Sequence, residues 1–272
     1  MDELLDELTR RRYGLEGTER MALTLPKQLV FLPGIGADHR LFKNQTTAFP
    51  NCYAADWIDP FPTESLEQYA VRFAETIRSE LEKRPTAPVV VCGLSLGGMI
   101  APYVARELSA SGCILLCSIR SPKEFPVLSY PDWLLMRLCP PLRLVRVCTL
   151  QLGARCLLFF PGLLRWFVSP LVVRQFAEMP PRRFASLARM MFDWAFRYRL
   201  PENNDEKIFD KPMLHVHGTN DWLLPIRRTH PDIRVKGGGH LLVLTHPNEI
   251  NAIIERFVAE IPPSESDASG GN

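Results

Sequence analysis

Short apolar runs alternate with amphipathic runs along most of this chain. Gln28-Leu29-Val30-Phe31-Leu32-Pro33 is largely apolar and ends at glycine, the pattern of a buried strand. The loop Gly34-Ile35-Gly36-Ala37 follows, and Asp38 is placed to cap a helix running through Leu41 and Phe42. Tyr53 to Ile58 reads as a second strand. Leu66, Tyr69, Ala70, Phe73, Ile77 and Leu81 recur at three-to-four spacing and predict a helix from Ser65 to Glu82. Ala87 to Cys92 predicts a strand, Met99 to Leu108 a helix, and Cys113 to Ser118 another strand. Two more strands are expected at Pro212 to Val216 and Ile233 to Lys236. In the closing run, Pro247 to Ala259, Ile250, Ile253, Ile254 and Phe257 share one helical face. Strands alternating with helices predict an α/β fold with a doubly wound, mostly parallel sheet.

The alternation breaks between Ser121 and Asp205. That segment is rich in Leu, Arg and Pro and reads as several short helices inserted into the sheet. The expected organisation is a charged extension at 1–20, a core at 21–120 and 206–261, a helical cap at 121–205, and a disordered tail at 262–272. Met21 opens a new apolar run and is a second candidate start.

Hydrophobic residues make up 46% of the 272 residues, enough for a sizeable core, and the net charge of +2 gives no case for nucleic acid. Basic residues concentrate in the insertion, which holds eleven arginines. Arginines in water on a packed cap account for this surplus; attraction of anionic substrates or contact with a membrane surface is the sharper, less favoured alternative. The apolar run Cys156 to Leu164 is too short to span a bilayer and is broken by Pro161 and Gly162. The seven cysteines contain no C-x-x-C pair, so a reducing cytoplasm is the expected setting. The opening residues lack the layout of a signal peptide.

Gly93-Leu94-Ser95-Leu96-Gly97-Gly98 sits between the strand at 87–92 and the helix at 99–108. A serine on so tight a strand-to-helix turn needs neighbours without side chains two before and two after it, and both are glycine. Serine is a poor nucleophile without a base, and the base needs a carboxylate to orient it. In folds built this way the partners follow in the order Asp or Glu, then His, after successive strands. Asp221 follows one strand and His240 another, through Gly237-Gly238-Gly239. Alone, Asp221 reads as a cap or turn residue and His240 as a loop histidine; the ordered set of three makes coincidence improbable. Two backbone N–H groups are expected to face the oxyanion: Leu96, at the helix start, and Ile35, in the glycine loop. His215-x-His217 places two imidazoles on one strand face, but without a third ligand nearby no metal is expected. His39 and Arg40 read as a solvated helix face, with contact to a substrate carboxylate as the alternative.

These motifs resemble the α/β-hydrolase superfamily, in particular small bacterial hydrolases. The residues that carry the resemblance are Leu32-Pro33-Gly34-Ile35-Gly36-Ala37-Asp38-His39-Arg40-Leu41-Phe42, the Gly93 to Met99 elbow, His217-Gly218-x-x-Asp221-x-x-x-Pro225 and Gly239-His240. Pro33 stands where the oxyanion loop of that superfamily usually carries histidine, and little chain precedes Gln28, so a sheet of about six strands is expected. The resemblance implies a serine hydrolase that needs no cofactor and acts on a small acyl substrate. Ser95 would be nucleophile, His240 base and Asp221 its orienting acid. Gly34, Gly36, Trp166, Phe167 and Trp194 are the expected pocket residues. Two alternatives remain: acyl transfer through the same triad, and a non-catalytic receptor or interaction protein on the same scaffold.

Overall fold

Two apolar runs form the middle of the sheet. β1 (Gln28–Leu32) and β3 (Val89–Leu94) pair in parallel, with Phe31 opposite Cys92 and Leu32 opposite Gly93. The computed structural model describes residues 27–126, 140–158, 169–197 and 208–262. Among these the sheet has six strands, all pairs parallel, in the order β2-β1-β3-β4-β5-β6. The remaining strands are β2 (Tyr53–Ala54) and β6 (Ile233–Val235) at the edges, with β4 (Gly112–Leu116) and β5 (Met213–Gly218) inside.

Alternate residues of each strand face opposite layers. Val30, Leu32, Val91, Cys113 and Leu115 pack with Tyr69, Phe73, Ile77 and Ile100. These come from α2 (Leu66–Leu81) and α3 (Leu96–Glu107). Leu29, Phe31, Val90, Cys92, Ile114 and Leu116 pack on the other face. Their partners include Phe42 from a short 3-10 helix (His39–Phe42) and Ile250, Ile253 and Phe257 from the last helix. Completing that layer are α1 (Lys43–Ala48) and, farther along the chain, α7 (Leu242–Thr245) and α8 (Pro247–Glu260). Asp38 caps the 3-10 helix through the Arg40 N–H, as its position predicts. α2 opens on a reciprocal capping box, in which Gln68 N–H donates to Ser65 Oγ and Ser65 N–H to Gln68 Oε1.

The second strand is much shorter than the Tyr53 to Ile58 run. After Ala55 N–H donates to the Phe31 carbonyl, the chain leaves the sheet edge, and Trp57 turns inward to donate its indole N–H to the Gly34 carbonyl. The insertion after β4 also differs from expectation. It contains α4 (Pro140–Leu158), α5 (Pro170–Glu178) and α6 (Pro181–Arg197), and two of these are long. Leu, Ala and Arg favour helix, and no proline interrupts α4 after Pro141.

Several insertion arginines bond to protein rather than standing free in water. Arg183 Nε donates to Asp59 at 2.6 Å, Arg189 donates to the Glu64 carbonyl, and Arg155 donates to the Ala177 carbonyl at the end of α5. A helix end leaves carbonyls without partners, which a nearby guanidinium satisfies. No helix among the described residues is long and apolar enough to cross a membrane. The extension at 1–20, Trp166 and Phe167 lie outside the described residues, as does the tail beyond Pro262.

Replacing Ser65 by Ala removes the α2 cap and is expected to cost about 1 kcal/mol. Urea unfolding of the two proteins checks this, and an unchanged midpoint counts against the cap.

Candidate active site

Ser95 joins the last residue of β3 to the first residue of α3 with φ 56° and ψ −118°. A non-glycine residue in this region is strained and must be held by its surroundings. Ser95 N–H donates to the Leu116 carbonyl at 3.0 Å, and Ser118 Oγ donates to the Ser95 carbonyl at 2.7 Å. The flanking glycines have a steric cause. A Cβ on Gly93 would lie 2.2 Å from the Gly97 carbonyl oxygen, and one on Gly97 would lie 2.2 Å from that of Leu32.

Asp221 and His240 sit on the loops after β5 and β6, and the structure brings them together. His240 Nδ1 donates to Asp221 Oδ2 at 2.7 Å, while Asp221 Oδ1 accepts the N–H groups of Leu223 and Leu224 at 2.9 Å each. The Asp221 side chain is fully buried and that of His240 is 12% exposed, so a group entering from outside meets imidazole first. Burial by itself pushes the Asp221 carboxyl up. Hydrogen bonds from His217 and His240, with the charge on His240, outweigh it and hold Asp221 well below the usual carboxylate range.

Ser95 and His240 are linked through the end of β4. Cys117 follows Leu116, the acceptor of Ser95 N–H, and its Sγ donates to the Gly239 carbonyl next to His240. Among the described residues no hydrogen bond joins Ser95 Oγ to His240. Such bonds commonly tighten only when substrate is present.

Gly34 brings the first loop up to Ser95, where a Cβ on it would lie 3.4 Å from Ser95 Cβ. Among the described residues the N–H groups of Ile35 and Leu96 have no hydrogen-bond acceptor. Ile35 and Gly36 also line an apolar cavity of about 590 Å³ against the inserted helices. Trp194 is elsewhere: it is 3% exposed, lies in the core and donates its indole N–H to the Tyr103 hydroxyl, fastening α6 to α3. It lines neither of the two cavities flanking the first loop.

The second cavity, about 430 Å³, lies on the other side of that loop and holds charged groups that satisfy one another. Arg40 Nη2 donates to Asp38 and Glu178 at 2.6 Å each, and His39 Nδ1 lies 2.9 Å from Asp56. His39 and Arg40 keep solvent-exposed side chains, as the solvated-face reading expects, and pair there with acidic neighbours.

His217 belongs to the His217-Gly218-x-x-Asp221 motif, and the structure gives its imidazole a place beside the carboxylate. Its Nε2 donates to the Leu224 carbonyl at 2.7 Å and lies 3.3 Å from Asp221 Oδ2. A carbonyl can only accept, so the proton is on Nε2. His215 Nε2 lies 3.2 Å from His217 Nδ1, and His215 Nδ1 has no partner. Burial pushes His215 down to about 3. The H-G-x-x-D spacing was the available signal: it puts His217 at the end of β5, one turn before the carboxylate. Among the described residues, two groups of three side chains have ligand-type atoms within 4.8 Å of one another: Cys117, Asp221 and His240, and Asp38, His39 and Asp56. Hydrogen bonds already join Asp221 to His240 in the first group and His39 to Asp56 in the second.

The alpha/beta hydrolase family model matches residues 29–253, and the chain belongs to that family. No curated protein matches the sequence. Among solved structures, an esterase from Thermogutta terrifontis is 17% identical with a TM-score of 0.58, covering 88% of this chain and 91% of its own. MenH from S. aureus is 19% identical with a TM-score of 0.60, covering 89% and 97%. The N-acyl homoserine lactonase AidH, complexed with N-butanoyl homoserine, is 17% identical with a TM-score of 0.62, covering 90% and 93%. At such identities these structures share the fold. The family and its esterase neighbours make this chain an alpha/beta hydrolase enzyme.

The Asp221 carboxyl is held below its unfolded value. Its ionised form therefore contributes stability that is present above the unfolded carboxylate range and lost as pH falls through the folded value. Asp221→Asn is expected to lower Tm at neutral pH, with the deficit shrinking below about pH 4. A deficit independent of pH, read by calorimetry across the acid range, contradicts this account.

Proposed function

We propose that this chain is a serine hydrolase that cleaves a carboxylic ester or thioester of a small, partly apolar substrate. The observation that carries the reading is the Asp221–His240 hydrogen bond of 2.7 Å, on the loops beside a serine held at a strained strand-to-helix turn. Ser95 Oγ attacks the acyl carbonyl carbon while His240 Nε2 takes its proton. The carbonyl oxygen becomes an oxyanion facing the N–H groups of Ile35 and Leu96. The C–O or C–S bond to the leaving group breaks as His240 returns the proton to that group. Water then attacks the acyl-enzyme by the same route, freeing the acid and Ser95. Asp221 holds Nδ1–H of His240, which leaves Nε2 as the base and stabilises the imidazolium.

The esterases and the lactonase of the same fold favour a carbonyl substrate over other chemistry hosted by the family. The helices at 121–205 act as the cap of this site, since α5 and α6 bond to the loops around it through Gln175, Glu178 and Arg183. Cys92, Cys113 and Cys117 are buried free thiols, which suits a cytoplasmic protein.

Ser95→Ala is expected to abolish both fluorophosphonate labelling and turnover of simple esters while the protein stays folded. Equal labelling of wild type and variant removes Ser95 as nucleophile; labelling without turnover of any ester shifts the reading to acyl transfer. His240→Ala is expected to cut kcat/KM for simple esters by several orders of magnitude, and near-wild-type turnover of that variant removes His240 as base.

A further inference from the structure

The first loop has a charged side and an apolar side. On the apolar side, Ile35 and Gly36 meet Leu150 of α4, Val173 and Phe176 of α5 and Phe184 of α6 around the cavity of about 590 Å³. Among the described residues no charged side chain lines it, and the one polar side chain that does, Thr149, already donates its hydroxyl to the Val145 carbonyl. A ligand there gains apolar contact and loses any hydrogen bonds it had in water, so only an apolar group is favoured. The volume suits a small-molecule site, for which about 300–1,000 Å³ is usual.

Strand order decides which part of an ester reaches this cavity. The cavity begins at Ile35, on the loop after β1, to one side of β3 and Ser95. Asp221 and His240 are on the loops after β5 and β6, to the other side. A leaving group must receive its proton from His240, so it lies on the β5–β6 side. The acyl substituent of the same carbonyl then points toward β1.

Building on the serine-hydrolase reading, we infer that this cavity binds an aliphatic acyl chain, so that the substrate is an ester or thioester of an apolar carboxylic acid, not of an apolar alcohol. Phe176 and Phe184, edge to face with centroids 5.0 Å apart, wall the cavity beside Gly36. Gly36 has φ +80°, and a Cβ there would approach both rings at 3.3 Å, so glycine keeps the space between this loop and the rings open. Gly153 on α4 leaves open space at the rim, with nothing within 4 Å of its Cβ position.

Gly153 is also the place to test the inference. Gly153→Phe adds bulk without a clash at Cβ and removes a glycine from a helix, which favours folding. Ala154→Leu fills the cavity from the next position and guards against an introduced ring that turns outward. Two substrate series separate the two sides: p-nitrophenyl esters from acetate to decanoate, and alkyl acetates from methyl to octyl. The wild type is expected to favour longer acyl chains over acetyl. At least one variant should cut that preference about 10- to 100-fold while leaving acetyl turnover and the alcohol series unchanged. Calorimetric titration with decanoate reads the same cavity without turnover, and the affected variant should bind it at least about tenfold more weakly.

If Ser95 is not labelled by fluorophosphonate and no ester turns over, the hydrolase reading fails, and decanoate binding alone decides the cavity. Equal decanoate binding by wild type and both variants overturns the inference. So does a wild type that fails to bind decanoate, and so does a change confined to the alcohol series.

Discussion

Backbone meets backbone on both sides of Ser95. Gly97 lies against the carbonyls of Leu32 and Pro33, and Gly93 against the backbone of Gly97 and its neighbour. This double contact presses the N-terminus of α3 onto the C-terminal ends of β1 and β3. It forces the turn that leaves Ser95 at φ 56°, a conformation that costs on the order of 1–3 kcal/mol. The bonds from Ser95 N–H to Leu116 and from Ser118 Oγ to the Ser95 carbonyl hold it there. The same approach carries Gly34 to the serine, so the Ile35 amide and the hydroxyl share one cause.

A second constraint is the buried carboxylate. An ionised group out of water must find donors, and Asp221 finds His240, two backbone N–H groups and His217. The Leu224 carbonyl fixes the proton of His217 on the atom that faces Asp221, so one residue of the loop orients the support of another. This shell leaves one carboxylate oxygen for the His240 imidazole and keeps the carboxyl ionised.

Placing the first loop and the two later loops on opposite sides of β3 divides the space above the sheet. One side carries Asp221 and His240, and the other an apolar cavity walled by inserted helices next to the Asp38–Arg40–Glu178 cluster. The helices are held there by specific polar contacts, among them Gln175 to Asp38, Arg40 to Glu178, Arg183 to Asp59 and Trp194 to Tyr103. Charged residues that look like a loose basic surface in the sequence are thus partly fasteners between insertion and core.

The parallel sheet, its two helical layers, the elbow and the order of Ser95, Asp221 and His240 were legible in the sequence. Period-two and three-to-four spacing, glycines and strand ends are local signals, set by residues close along the chain. The cap at Asp38 was equally local. What the chain could not announce were meetings between distant segments. Trp194 had the composition of a pocket wall but found Tyr103 in the core. Arg40 found Glu178, 138 positions away. Ile35 and Gly36 met α4, α5 and α6 to make a cavity that no single segment encodes. His217 carried a readable spacing, yet its role depends on which way its ring turns toward Leu224 and Asp221. Backbone geometry and residue order were determined by the sequence alone. The environment of each side chain, and so its charge state and task, was decided by tertiary packing, because burial and neighbouring donors exist only once the chain has closed on itself.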